Sequence, residues 1–72
     1  MLMLNYNEIG KKIRKERIKR NLTQDDLAEI LFVTRQAISK WETGKSLPDQ
    51  DVMLQLSNLF TISINDILNA RE

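Results

Sequence analysis

The sequence predicts an all-α chain of five short helices. Three observations carry that prediction. Apolar residues recur three and four positions apart, the spacing of a helix face and not of a strand. Capping residues (Asn5, Thr23, Thr34 and Ser63) stand just ahead of four of these segments. No alternating pattern competes, although the opening MLML could pair as a strand edge.

Helix one is expected from about Tyr6 to Arg20. Asn5 can cap it, with Glu8 three residues on as a box partner. Tyr6, Ile9 and Ile13 form its apolar stripe, and Arg17 falls among them. A charge there either snorkels to solvent or needs a partner. Glu42 is the candidate, because it lies beside Ile38 on the inward side of its own helix. A two-pronged Arg17–Glu42 pair would tie the two helices together.

Helix two is expected from about Gln24 to Leu31, capped by Thr23 with Asp26 as its box partner. Leu27, Ala28 and Leu31 share one face. Thr34 can cap helix three, from Arg35 to about Glu42. Only Phe32 and Val33 remain between them. Two short helices joined this tightly must cross, as in a helix-turn-helix, whose second helix enters the DNA major groove.

On helix three, Gln36, Ser39, Lys40 and Thr43 share a polar face, with Ile38 and Trp41 opposite. Arg35 stands at the helix start, where a long side chain can reach forward. Arginine and lysine suit guanine edges, and glutamine suits adenine. A lone polar helix face is ordinarily just solvated. Here the tight turn, the two caps and the basic neighbours favour a reading face.

Gly44 can supply the positive φ that follows many helices, and Pro48 marks a turn or an early helix position. Helix four is expected from about Asp49 to Phe60, with Met53, Leu56, Ser57 and Phe60 at core spacing. Ser63 caps helix five with Asp66 as its box partner, and Ile67 and Leu68 point inward.

The 72 residues suit one domain, residues 1–72. A core of this size is marginal, since such a chain buries only about 60% of its unfolded surface. Cysteine is absent, so helix packing, aided by dimerisation, must stabilise the fold. That suits a reducing cytoplasm. MLML is too short for a signal segment, and no run approaches the roughly 18 apolar residues of a membrane span.

The net charge of +1 conceals an asymmetry. Lys11, Lys12, Arg14, Lys15, Arg17, Lys19 and Arg20 crowd one segment, broken by Glu16, whereas the chain from Asp49 onward is mainly acidic. Such a split can mark a nucleic-acid face on a nearly neutral protein, or a lysine-rich solvated helix.

IGKKIRKERIKRNLTQDDLAEIL, VTRQAISKWETGKSLPD and ISINDIL together resemble the Cro and phage-repressor type of helix-turn-helix domain, the xenobiotic-response-element family of bacterial regulators. The resemblance implies a compact, lambda-repressor-like five-helix bundle that binds operator DNA, often as a homodimer. By position it implies that Gln24 bonds a phosphate and that Arg35, Gln36 and Lys40 contact bases, with Thr34 and Ser39 beside them. Thr43 and Lys45 match backbone-phosphate contacts, Arg17 and Glu42 match a structural ion pair, and Trp41 matches a core position. Phe32 departs from the pattern, standing where many relatives carry glycine. Partial burial is expected for it, with an interaction handle as the alternative. Dimer-patch candidates are Val52, Leu59, Ile64 and the segment Met1 to Leu4.

The function expected is therefore sequence-specific regulation of transcription, as a repressor. The alternative is an antitoxin-type module that also binds its own operator and a protein partner. An enzyme is not expected: histidine and cysteine are absent, and no P-loop, nucleophile elbow or metal box is present. No cofactor or metal is expected.

Overall fold

A computed structural model describes residues 4–70. Within them the secondary structure is helical, in the order α1 (Tyr6–Lys19), α2 (Gln24–Leu31), α3 (Arg35–Glu42), α4 (Gln50–Phe60) and α5 (Ile64–Leu68). The five helices form the all-α bundle that the sequence predicts. Met1 to Met3 lie outside the described residues. Leu4 is exposed and belongs to no strand.

Each helix begins where a short polar side chain replaces a missing hydrogen-bond partner. Asn5, Thr23, Thr34, Asp49 and Ser63 all adopt extended backbone and accept from the N–H three residues on. The box at Thr23 and Asp26 is reciprocal, with Asp26 accepting in turn from the Thr23 N–H at 2.9 Å. Those bonds from the Thr23 backbone and hydroxyl lower the Asp26 pKa, against a small opposing effect of burial. At Asn5 and Ser63 only the cap half forms. Glu8 turns instead towards Lys11, 3.7 Å away. Asp49 is the cap of α4, so that helix starts one residue later than expected. Arg20 is likewise the C-cap of α1 rather than its last helical residue.

Three helices are closed by a left-handed residue other than glycine, at the C-cap of α2 and α4 and one residue past it in α1. Asn21, Phe32 and Thr61 have φ of 58°, 57° and 53°. The following N–H folds back in each case: Leu22 to Arg17 O at 3.2 Å, Val33 to Ala28 O at 3.0 Å and Ile62 to Ser57 O at 3.2 Å. This closure satisfies helix-end carbonyls. Val33 and Ile62 then pack on the core. Phe32 itself points outward and is 93% exposed, not partly buried. The left-handed turn aims its side chain away from the α2–α3 corner.

The core gathers Ile9, Ile13, Leu27, Leu31, Ile38, Trp41, Met53, Leu56, Phe60 and Ile67. Val52 joins it at 8% exposure and is therefore not a surface patch residue. Leu59 and Ile64 are half-buried against the same core. Tyr6 is exposed at the start of α1 rather than part of its buried stripe. Ser57 is half-buried, and its hydroxyl donates to Ile62 O at 2.5 Å across the helix end.

Candidate nucleic-acid interface

The position of α3 is set from its inward side. Ile38, Trp41 and Glu42 are buried, which turns Arg35, Gln36 and Lys40 outward as exposed residues and leaves Ser39 half-buried. Gln24, Arg35, Gln36 and Ser39 line one shallow hollow of about 180 Å³. The structure thus brings the first residue of α2 beside the start of the proposed reading face. An eight-residue helix is only about 12 Å long, so its two ends can address neighbouring parts of one groove.

At the N-terminal end, the Thr34 hydroxyl accepts from Ala37 N at 3.1 Å. At the other end, the Thr43 hydroxyl donates to Ser39 O at 2.8 Å. Gly44 has φ +78°, and its missing Cβ leaves room for the Asn7 side chain. The Lys45 N–H returns to Lys40 O at 2.8 Å. Lys45 is thereby held at the C-terminal end of α3, away from the Gln24 hollow and exposed.

Glu42 closes the inward side. It accepts from Arg17 Nε through Oε2 at 2.6 Å and from Arg17 Nη2 through Oε1 at 3.0 Å. The third edge of the same guanidinium, Nη1, donates to Leu22 O at 2.7 Å. Arg17 is 8% exposed, as is Glu42. Hydrogen bonding to Glu42 raises the Arg17 pKa and outweighs the opposing effect of burial. One arginine therefore fixes both the entry to α2 and the last turn of α3.

Two further contacts, those of Gln24 and Arg35, are not encoded by any helical spacing. Gln24 Nε2 donates to Glu42 Oε1 at 3.1 Å, so this side chain is oriented by the buried pair. Arg35 Nε lies 3.9 Å from Asp25 Oδ1, with both side chains largely exposed. On α1, Lys12 and Arg20 both turn to the buried Glu16, at 3.1 and 2.8 Å. Those two pairs do have a readable signal, the four-residue spacing of opposite charges on a helix. Arg20 also donates to Phe60 O at 2.6 Å and lies over the Phe60 ring, 4.8 Å from its centroid. This ties the ends of α1 and α4. The charged segment is therefore divided: Lys12, Arg17 and Arg20 serve internal structure, whereas Arg14 and Lys15 meet no carboxylate within 4.0 Å among the described residues.

The surface so assembled offers donors of the kind that suit base edges and phosphates, with a core-locked helix behind them. Among the described residues no helix is long and apolar enough to cross a membrane.

Comparison with known proteins agrees with this architecture. The chain is 42% identical over 65 residues to the HTH-type transcriptional activator BcrR of Enterococcus faecalis, covering 90% of this chain and 32% of that protein. It is 34% identical over 64 residues to the HTH-type transcriptional regulator ImmR of Bacillus subtilis (strain 168), covering 89% of this chain and 50% of that protein. The chain thus spans no more than half the length of these two relatives. Among solved structures, the P22 c2 repressor protein in complex with synthetic operator 9T superimposes with a TM-score of 0.81 at 30% identity, covering 88% of this chain and 96% of that one. These relatives are named as regulators and not as enzymes, in line with the exclusion drawn from composition. A helix-turn-helix family model matches residues 13–67, and the chain belongs to that helix-turn-helix family.

Proposed function

We propose that this chain is a sequence-specific DNA-binding regulator of transcription, acting as a cytoplasmic repressor that occupies an operator. The observation that carries this reading is the outward face of α3. Arg35, Gln36 and Lys40 are exposed on a helix whose opposite side is locked by Ile38, Trp41 and the Arg17–Glu42 pair. In this reading Arg35, Gln36, Ser39 and Lys40 meet base edges in the major groove. Gln24, Thr34, Thr43 and Lys45 meet phosphates on either side and set the register. The likeness to a repressor solved on a synthetic operator supports DNA binding.

One eight-residue reading helix limits both affinity and specificity. Two copies on one DNA face would double the contacts, with their reading helices about one helical turn apart. We propose a homodimer whose contact uses α4 and α5. Leu54 is 53% exposed on the outer side of α4, with Leu59 and Ile64 half-buried nearby in sequence. Asp49 to Asn69 contains no lysine, arginine or glutamate, and its three aspartates, Asp49, Asp51 and Asp66, must stay at the solvated rim of such a contact.

Selection of duplexes from a random library, followed by sedimentation of the selected complex, tests this reading. The expected result is a two-fold repeated half-site carrying two chains. One chain on a non-repeated site would exclude the dimer. Failure to enrich any sequence would exclude specific DNA reading itself.

A further inference from the structure

We propose that Asp25 is a specificity-determining positioning residue, which holds Arg35 for base reading and keeps it off the phosphate backbone. The inference deepens the proposed function and rests on Arg35 being a reading residue.

Asp25 is the second residue of α2 and Arg35 the first of α3. The tight turn brings these two helix starts together. Asp25 Oδ1 lies 3.9 Å from Arg35 Nε. That is the side edge of the guanidinium. An arginine reads the O6 and N7 atoms of guanine with two nitrogens of its fork, and a carboxylate beside Nε alone leaves the two terminal amino groups for that contact. At that distance Asp25 makes no hydrogen bond to Arg35 and acts on it through its charge, which biases the arginine without occupying its reading edge.

The position of Asp25 also carries a cost. It adjoins Gln24, the proposed phosphate ligand, and lines a hollow together with Gln24 and Arg35. A negative charge at that place repels the DNA backbone. Capping at this helix start is already supplied by Thr23 and its box partner Asp26, whose carboxylate accepts from Thr23 N. A second carboxylate is not needed to close the helix end. Its useful effect lies in the choice it imposes on Arg35. Without Asp25, the flexible guanidinium can swing to a phosphate on any sequence. With Asp25, that contact is discouraged, and the arginine is left aimed into the groove. Specificity then arises by penalising the wrong complex as well as by favouring the right one.

The pair is exposed, with side-chain accessibilities of 65% for Arg35 and 77% for Asp25. Exposed pairs have small effects, so the expected change is modest, about two- to fivefold. It should appear in discrimination rather than in folding.

The experiment measures binding of the wild-type chain, Asp25→Asn, Arg35→Ala and the double variant. Each is titrated against a library-selected duplex, the same duplex with the arginine-read base pair replaced, and random-sequence DNA. Asp25→Asn should tighten binding to random DNA. It should lower discrimination at that one base pair by about two- to fivefold. The salt dependence on random DNA should steepen by about 0.9 in log–log slope, the signature of one additional phosphate contact. In the Arg35→Ala background, Asp25→Asn should no longer change discrimination. Thermal unfolding of Asp25→Asn should stay close to wild type.

If Arg35→Ala alters base preference but Asp25→Asn tightens all duplexes equally, Asp25 acts only as a bulk charge and the proposal is overturned. If Arg35→Ala leaves base preference unchanged at every position, the reading role of Arg35 fails, and this proposal fails with it. If Asp25→Asn lowers discrimination to the same extent with and without Arg35, the effect does not pass through Arg35 and the proposal is again overturned.

Discussion

The backbone of Gly10 rests directly on the carbonyl of Trp41, so that α1 meets the last turn of α3 backbone to backbone at this point. A Cβ at position 10 would collide with Trp41 O and press on the Glu42 carbonyl group. Both obstacles are backbone, which cannot move aside as a flexible side chain would. Gly10→Ala should therefore destabilise the fold by about 1–3 kcal/mol, despite alanine's higher helix propensity. Urea unfolding followed by Trp41 fluorescence checks this. An unchanged or higher stability would mean that the two helices are not in backbone contact.

Arg17 and Glu42 should behave as one unit. Truncating either partner leaves the other buried and unpaired, at a cost of about 3–5 kcal/mol. Replacing both should cost much less than the sum of the single changes. A double-mutant cycle on unfolding free energy reads the coupling directly. Purely additive costs would show that the pair contributes nothing beyond its separate side chains.

How far the sequence reveals all this depends on the kind of signal. The limits of α2 and α3 were legible because Thr23 and Thr34 mark them, and a cap needs only a three-residue spacing. The inward turn of Arg17 was legible because a charge interrupts an apolar stripe. The outward direction of Phe32 was not, since periodicity stops at the turn and a left-handed residue redirects its side chain. Val52 stays open in the sequence between dimer patch and core, because a helical wheel does not represent what packs around α4, and the structure places it in the core. The Gln24–Glu42 bond and the Arg20–Phe60 contact join residues 18 and 40 apart, and only the assembled fold brings them together.

Phe32 carries a conformational penalty without a visible packing return. It has φ 57° and is 93% exposed. A left-handed non-glycine residue costs roughly 1–2 kcal/mol. Phe32→Gly should recover part of that strain, less glycine's added freedom in the unfolded chain, for a net gain of about 0.5–1 kcal/mol. Phe32→Val should destabilise, because a branched side chain tolerates this conformation worse. Thermal melts of the two variants provide the check, and a loss on glycine substitution would reveal a packing role for the ring.

Stability should fall in acid through Glu16. Burial pushes this carboxyl's pKa up, but hydrogen bonds from Arg20 and Lys12 and the charges of Lys12 and Lys19 outweigh that effect, and the net shift is downward. A lowered folded-state pKa means that the contribution is complete above the unfolded value. It is lost as pH falls through the folded one, from about pH 5 downward. Asp26 adds in the same direction. Glu16→Gln should be less stable than wild type at neutral pH, and its stability should fall less steeply in acid. Parallel pH profiles for variant and wild type would remove Glu16 from the account.

The central claim is that the outward face of α3 reads bases while its flanks hold phosphates. The most direct test titrates wild type, Gln36→Ala and Lys45→Ala against a library-selected duplex, its single-base variants and random DNA. Gln36→Ala should lose about 1–3 kcal/mol of discrimination at one base pair, with affinity for random DNA nearly unchanged. Lys45→Ala should weaken every duplex alike and flatten the salt dependence by about 0.9 in log–log slope. Equal losses on selected and random DNA for Gln36→Ala, or a changed base preference for Lys45→Ala, would contradict the assignment of the reading face.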